Sequence, residues 1–66
     1  MDIRHLRYFV AIAEEGSLSR AAERVHVAQP ALSQHVRNME LDLKTELLFR
    51  TSRGVQLTEA GERLVA

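Results

Sequence analysis

Residues 27–43, with the sequence VAQPALSQHVRNMELDL, restrict the fold of this chain more than any other stretch. Pro30 suits the first turn of a helix, because the N–H group that proline lacks would have no partner there. Apolar residues then recur at intervals of four, three and four positions, at Leu32, Val36, Met39 and Leu43. This spacing places them on one stripe of an α-helix, so the segment predicts a helix with one buried side.

The opposite side of this helix carries, near its start, short or hydrogen-bonding side chains around one cation: Ala31, Ser33, Gln34 and Arg37. No acidic residue lies between Arg24 and Met39. A helix with an apolar back and a small, polar, acid-free front can enter a DNA major groove and touch base edges. The same front suits an ordinary solvated surface equally well, and periodicity does not choose between the two.

Length and composition limit the class of protein. Sixty-six residues form one small domain, and a domain of this size buries only about 60% of its unfolded surface, so its stability is marginal. The sequence has no cysteine, which excludes a disulfide framework and a thiolate metal site. It contains no secretory signal and no apolar run long enough to span a membrane, so we expect a soluble cytoplasmic protein without membrane contact.

Neither metal binding nor catalysis is expected. His5, His26 and His35 include no pair at the helical spacings of three or four residues that favour a shared metal ion. Acidic residues are available at positions 14–15 and 40–42, but no pairing of a nucleophile with a base is visible. A chain this short would also struggle to enclose a substrate. The sequence therefore predicts no enzyme, no catalytic residue, no metal ligand and no cofactor in this chain.

The net charge of zero argues against a nucleic-acid partner. Nine Lys and Arg residues balance nine Asp and Glu residues, whereas nucleic-acid-binding domains usually carry a basic excess. The charges are unevenly distributed, however. Between Arg24 and Met39, and again between Leu47 and Thr58, there are basic residues and no acids. Two acid-free segments can share one face of the molecule while the acids occupy other faces.

A first amphipathic helix is predicted over residues 2–15. Its apolar residues recur at helical spacing, at Ile3, Leu6, Phe9 or Val10, and Ala13. Asp2 is expected in the first turn, where the helix dipole favours an acid, and Gly16 supplies a C-terminal stop.

A second, shorter helix is predicted to begin after Ser17, whose hydroxyl can cap the first turn, and to end near Val25. Its buried side consists of apolar and small residues, Leu18, Ala21, Ala22 and Val25. His26 occupies the following turn, because histidine tolerates a left-handed backbone better than most residues. A helix-turn-helix is therefore predicted from this second helix, the turn and the helix that starts at Pro30. In such a unit the later helix enters the major groove, so the polar front of the third helix would face DNA.

The periodicity changes after Leu47. Residues 48–57 predict two short extended runs around a polar Ser-Arg-Gly turn, in which Gly54 allows the positive φ that a tight hairpin needs. A two-stranded ribbon beside a helix-turn-helix is a wing, and Arg50 and Arg53 lie on it without a nearby acid. An arginine at the tip of a wing can reach a DNA minor groove. The alternative is an exposed hairpin whose arginines only maintain solubility.

Thr58 predicts the N-cap of a fourth helix over residues 59–66, with acids in its first turn. The positions that this helix can bury are Ala60, Leu64 and Val65. Two turns are too short to be stable alone, so the helix is expected to continue in a longer protein.

With these elements in place, the sequence resembles the N-terminal DNA-binding domain of LysR-type bacterial transcriptional regulators. The matching stretches are LRYFVAIAEEGSLSRAAERVHVAQPALSQHV and RTSRGVQLTEAG, which together run through nearly the whole chain. The resemblance implies a mainly α winged helix-turn-helix over residues 1–57, with a three-helix core and a β-hairpin wing. It also implies that residues 58–66 begin a linker helix that pairs two copies of the protein through Ala60, Leu64 and Val65.

The resemblance further implies a separate C-terminal domain that binds a small-molecule effector, tetramers at full length, and dyad-symmetric promoter sites on double-stranded DNA. Positions that match the base-reading residues of the family are Gln29, Pro30, Ala31, Ser33, Gln34 and, at the wing tip, Arg53. Positions that match phosphate-holding residues are Ser17, Arg37, Arg50, Thr51 and Ser52.

Three positions depart from the family pattern. Many members have Arg where this chain has Gln34, and an amide favours adenine over guanine. Lys44 replaces a frequent helix-ending glycine, so the third helix is expected to end differently or to run longer. Phe49 follows Leu48 where a polar residue is more usual, which leaves Phe49 exposed. The interpretation is sequence-specific DNA binding by a transcriptional regulator; the alternative is a winged-helix protein-interaction module without DNA binding, which the neutral charge keeps open.

Overall fold

The structure is a computed structural model that describes residues 2–66. The elements in chain order are α1 (Ile3–Glu15), α2 (Leu18–Val25), α3 (Gln29–Leu43), β1 (Leu48–Thr51), β2 (Gly54–Leu57) and α4 (Glu59–Val65). The two strands form an antiparallel sheet in which Leu48 pairs with Leu57 and Thr51 with Gly54. The predicted mainly α winged helix-turn-helix is confirmed. No helix within residues 2–66 combines the length and apolar character needed to cross a membrane.

The first helix begins one residue later than predicted, because Asp2 is its N-cap and does not lie in its first turn. The Asp2 carboxylate accepts hydrogen bonds from the backbone N–H groups of Arg4 at 2.9 Å and His5 at 3.2 Å. The bond from His5, assisted by the Arg4 guanidinium, lowers the pKa of Asp2 below its ordinary value. Gly16 ends the helix in the left-handed region with φ of +66°, as predicted.

Both predicted ends of α2 are confirmed. The Ser17 hydroxyl accepts a hydrogen bond of 3.2 Å from the backbone N–H of Arg20, so Ser17 is the N-cap. His26 adopts φ of 59° and ψ of 45°, the left-handed conformation that the turn into α3 requires. The chain can then reverse within the short span before Gln29, which fixes α3 against α2.

The predicted apolar stripe of α3 is correct for three positions and wrong for the fourth. Leu32, Val36 and Met39 are buried, whereas Leu43 is 42% exposed. The last turn of α3 extends past the edge of the core, and Leu41 is exposed there as well. The helix then ends at Lys44, which takes the left-handed conformation with φ of 55° despite its side chain.

The core consists of two packed clusters of buried side chains. The larger joins the first three helices and contains Ala11, Ile12, Leu18, Ala21, Ala22, Leu32 and Val36. The smaller contains Phe9, Met39 and Leu47, with Leu48, Leu57, Ala60 and Leu64 packed against it. Leu47 lies in the connection between α3 and β1, outside any periodic pattern. It nevertheless joins the wing and α4 to the helical core.

The wing is attached to the helices at both of its ends. At its start, the Glu40 carboxylate on α3 accepts hydrogen bonds from the backbone N–H groups of Leu47 at 2.8 Å and Leu48 at 3.3 Å. Near its tip, the Val55 N–H donates to the carbonyl oxygen of Gly16 at 3.3 Å. Gly54 adopts φ of +125°, and a Cβ there would lie 2.4 Å from the same oxygen. The hairpin therefore has a fixed position relative to the helix-turn-helix.

Candidate nucleic-acid interface

The start of α3 is an exposed surface that directly follows the turn of the helix-turn-helix. Gln29, Pro30, Ala31 and Gln34 are all exposed. Helix α3 begins at Gln29, and Ala28 at its N-cap position supplies no side-chain hydrogen bond. The first-turn N–H groups and the short side chains of this surface are therefore open to a partner that approaches along the helix start.

Ser33 does not lie on this exposed front, so its predicted placement is wrong. The residue is only 9% exposed and lies in the cleft between α3 and the wing, which Leu18, Arg37, Arg50 and Val55 also line. Position 33 directly follows the buried Leu32, and its side chain lies in this cleft instead of on the exposed front. A contact between Ser33 and a base edge stays a prediction without support from this placement.

Gln34 has a neighbour on α3 that the sequence analysis did not consider. Its side-chain nitrogen Nε2 donates a hydrogen bond of 3.0 Å to Oδ1 of Asn38. Both side chains are exposed and lie one turn apart on the same face of the helix. The spacing of four residues between two amides was the signal that could have found this pair.

The arginines of the molecule fall into two groups, which explains how a neutral chain can present a basic face. Those near the acids of the helices form ion pairs: Arg4 with Asp2, Arg20 with Glu15, Arg24 with Glu14 and Glu15, and Arg63 with Glu59. The hydrogen bond that the Arg24 guanidinium donates to the Glu14 carboxylate contributes most to raising the pKa of Arg24. Within residues 2–66, no ion pair is formed by Arg37, Arg50 or Arg53. Arg7 on α1 also forms no ion pair there.

Two of these unpaired cations, Arg37 and Arg50, lie on one side of the molecule. Arg37 on α3 and Arg50 on β1 are exposed and line the same cleft, on either side of Ser33. Arg53 is exposed in the turn at the tip of the wing, next to the exposed Ser52. The predicted sharing of one face by the two acid-free segments is therefore correct for α3 and β1.

The hydroxyl groups of two predicted phosphate contacts already serve the fold. Thr51 Oγ1 donates to the Gly54 carbonyl at 3.3 Å and accepts from the Arg53 N–H at 3.1 Å, so it shapes the turn. Its single proton is used there, which leaves no donor for a phosphate. Ser17 is half-buried and caps α2 through a lone pair, so its proton is still available.

Residues 3–62 match the family described as "Bacterial regulatory helix-turn-helix protein, lysR family". The chain belongs to this family. It is 55% identical over 64 residues to the nitrogen assimilation regulatory protein nac of Klebsiella aerogenes, a match that covers 97% of this chain and 21% of the relative. It is 48% identical to the transcriptional regulator TfdT of Cupriavidus pinatubonensis, over 94% of this chain and 27% of the relative. The chain thus spans less than a third of the length of these regulators.

The solved structures similar to this LysR-family chain include complexes with DNA. The DNA-binding domain of CbnR in complex with DNA matches with a TM-score of 0.93 and 43% identity, over 98% of this chain and 75% of that one. The DNA-binding domain of BenM in complex with catB site 1 DNA matches with a TM-score of 0.93 and 46% identity, over 98% of this chain and 73% of that one. The chain is therefore a LysR-family DNA-binding domain with the winged helix-turn-helix fold.

The predicted dimerisation residues of this LysR-family domain have different surroundings. Ala60 and Leu64 are half-buried and pack against the cluster of Phe9, Met39 and Leu47. Val65 is 36% exposed, and its role in pairing two copies stays a prediction. Gly61 is buried in α4, and no pattern in the sequence indicated this. Its backbone packs closely on the connection before the wing, because an added Cβ would lie 2.3 Å from the Leu47 carbonyl oxygen. The start of α4 therefore packs on the same core as the wing.

Two other predictions from the sequence are resolved by the structure. Phe49 is 45% exposed, as its departure from the family pattern indicated. The predicted Thr58 cap is confirmed, since its hydroxyl accepts from the Gly61 N–H at 3.1 Å and donates to the Glu46 carbonyl at 2.7 Å.

Within residues 2–66 no three potential ligands among His, Cys, Asp and Glu converge on a metal site. His5 and His35 instead stack, with ring centroids 4.8 Å apart.

Proposed function

We propose that this LysR-family chain binds double-stranded DNA in a sequence-specific manner, with the start of α3 in the major groove and Arg53 directed toward a minor groove. The observation that carries the proposal is the separation of charges. Arg37, Arg50 and Arg53 are free of acidic partners beside an exposed helix start, while the arginines elsewhere are mostly neutralised by neighbouring acids. Cations held free in this way can bind phosphates on both sides of a groove.

Base reading is assigned to the exposed residues at the start of α3, Gln29, Pro30, Ala31 and Gln34. Gln34 carries the most specific chemistry, because an amide can bond to both N6 and N7 of adenine. Pro30 and Ala31 offer small apolar surfaces that can contact a thymine methyl group. Arg37, Arg50 and Ser52 then position the domain by binding phosphates, and Ser17 can donate its remaining proton to another.

The proposal extends to a longer regulator of which this domain would form part. Its relatives are transcriptional regulators, so we propose binding to dyad-symmetric promoter sites in the cytoplasm and no catalytic role. A continued α4 would pair two copies, and the full-length protein would assemble as a tetramer. Its C-terminal domain would bind a small-molecule effector.

A titration of binding against salt concentration separates DNA binding from the alternative of a protein-interaction module. Each phosphate neutralised by an arginine contributes about 0.9 to the slope of log affinity against log salt. Arg37→Gln and Arg50→Gln should each reduce the slope by about one and weaken specific and random duplexes alike. The control is Arg63→Gln, which removes an arginine already paired with Glu59 and should leave the slope unchanged.

Fluorescence anisotropy with labelled duplexes gives these slopes directly. The duplexes are chosen by selection from a random pool, so that specific and random DNA are compared in the same buffer. If the chain binds no duplex in preference to others at low salt, or if all three variants share one slope, the protein-interaction alternative is favoured and this proposal fails.

A further inference from the structure

The hydrogen bond between Gln34 and Asn38 changes what Gln34 can offer to a base. A glutamine side chain has two N–H donors on Nε2 and one carbonyl acceptor. In the structure, Nε2 donates to Oδ1 of Asn38 at 3.0 Å. One N–H and the carbonyl oxygen of Gln34 remain free.

The remaining groups suit adenine and not guanine. Adenine presents an acceptor at N7 and a donor at N6, which one N–H and one carbonyl oxygen can satisfy together. Guanine presents two acceptors, N7 and O6, and needs two donors. A free glutamine could direct both N–H groups toward guanine, but Gln34 has already used one of them on Asn38.

Asn38 also limits the motion of a flexible side chain. Gln34 and Asn38 are both exposed, and within residues 2–66 no other side chain forms a hydrogen bond with Gln34. The pair spans one turn of α3, so the helix itself fixes the position of Oδ1. An ordered Gln34 loses less conformational freedom when it meets a base than an unrestrained one does.

We propose that Asn38 is a positioning residue that sets the base preference of Gln34, favouring adenine and excluding guanine. It acts by holding one N–H of Gln34, without a base contact of its own. This inference rests on the proposed function, since it requires the start of α3 to lie in the major groove.

The test is a double-mutant cycle read as a ratio of affinities. Duplexes from the selection are compared with copies that carry guanine in place of adenine at the position that Gln34 reads. The proteins are the unchanged chain, Gln34→Ala, Asn38→Ala and the double variant, with binding measured at about 50 mM salt. Gln56→Ala, which removes an exposed amide on the wing, is the matched control, and thermal unfolding verifies that each variant folds.

The unchanged chain should prefer adenine, and Gln34→Ala should abolish that preference. Asn38→Ala should reduce the ratio about two- to tenfold, because it frees the second N–H of Gln34 to form one more hydrogen bond with guanine. In the Gln34→Ala background, Asn38→Ala should change nothing further, because its effect passes through Gln34. Asn38→Asp keeps the acceptor, so it should retain the adenine preference while its negative charge weakens binding to all duplexes.

Three results would overturn the inference, and they differ from failure of the proposed function. If Asn38→Ala keeps the full ratio while Gln34→Ala loses it, Gln34 reads the base without help. If Asn38→Ala weakens binding equally with and without Gln34, Asn38 contacts DNA itself. If Gln34→Ala leaves the ratio unchanged in a chain that binds DNA, Gln34 is not the adenine reader and Asn38 has no base preference to set. Absence of any selective binding defeats the proposed function itself.

Discussion

The contact between Gly54 and Gly16 gives a prediction about how the wing is held. Replacing Gly54 by alanine places a Cβ 2.4 Å from the Gly16 carbonyl oxygen, at a residue whose φ is +125°. Such a backbone conformation costs an ordinary residue about 1–3 kcal/mol. The Cβ also forces the strand away from Gly16, which breaks the 3.3 Å hydrogen bond from Val55 to that oxygen and adds about 1 kcal/mol. We expect Gly54→Ala to lower the free energy of unfolding by about 2–4 kcal/mol.

This loss is large for a small domain. At about 0.05–0.15 kcal/mol per residue, the whole chain has a stability of roughly 3–10 kcal/mol. The melting temperature should therefore fall by at least about 10 °C.

Gly16→Ala is the matched control, because Gly16 also has a positive φ, +66°, but a Cβ there meets nothing within 4 Å. It should cost about 1 kcal/mol, the backbone strain alone. Urea unfolding followed by far-ultraviolet circular dichroism measures both variants. If Gly54→Ala is no more destabilising than Gly16→Ala, the close approach of Gly54 on the wing to the Gly16 carbonyl oxygen is refuted.

Three further predictions follow from single contacts. Asp2→Ala should lower the free energy of unfolding through loss of the helix cap. Because the His5 N–H lowers the pKa of Asp2, this contribution is complete above the ordinary value of 3.8 and disappears as the pH falls through the lower folded value, so the two proteins should converge in acid. Glu40→Ala should cost about 1–3 kcal/mol and speed hydrogen exchange of the two backbone amides at the start of the wing, whereas Glu46→Ala at an exposed acid should change neither. Arg53→Ala should lose the advantage of A·T-rich flanks in competition binding; an undiminished advantage would show that the wing tip does not enter a narrow minor groove.

Local signals in the sequence were sufficient for the elements and for most of their ends. Ser17, Thr58 and Gly16 act through hydrogen bonds or backbone conformations within a few residues of chain, so their types alone predicted where helices begin and stop. His26 also met its prediction, because the turn needs a left-handed residue and histidine tolerates one. These features do not depend on what packs from a distance.

Burial at the margins of the core could not be predicted, because it depends on elements remote in sequence. Leu43 has the right period but is exposed at the end of α3, whereas Ser33 has a polar side chain and is buried in the cleft between α3 and the wing. Leu47 and Gly61 meet across the junction of wing and α4, which no helical or strand period describes. The acid-free segments indicated a basic face, but the neutral total charge could not reveal which arginines form ion pairs.

The most direct test of the account is a change of base preference by substitution of one residue. Gln34→Arg replaces an amide that suits adenine with a guanidinium that bonds to both O6 and N7 of guanine. Selection from random duplexes with the unchanged chain and with Gln34→Arg should give the same site at all positions except one per half-site. At that position adenine should be replaced by guanine, with a discrimination of about 1–3 kcal/mol in each case. Selected sites that are identical for the two proteins would contradict the placement of α3 in the major groove.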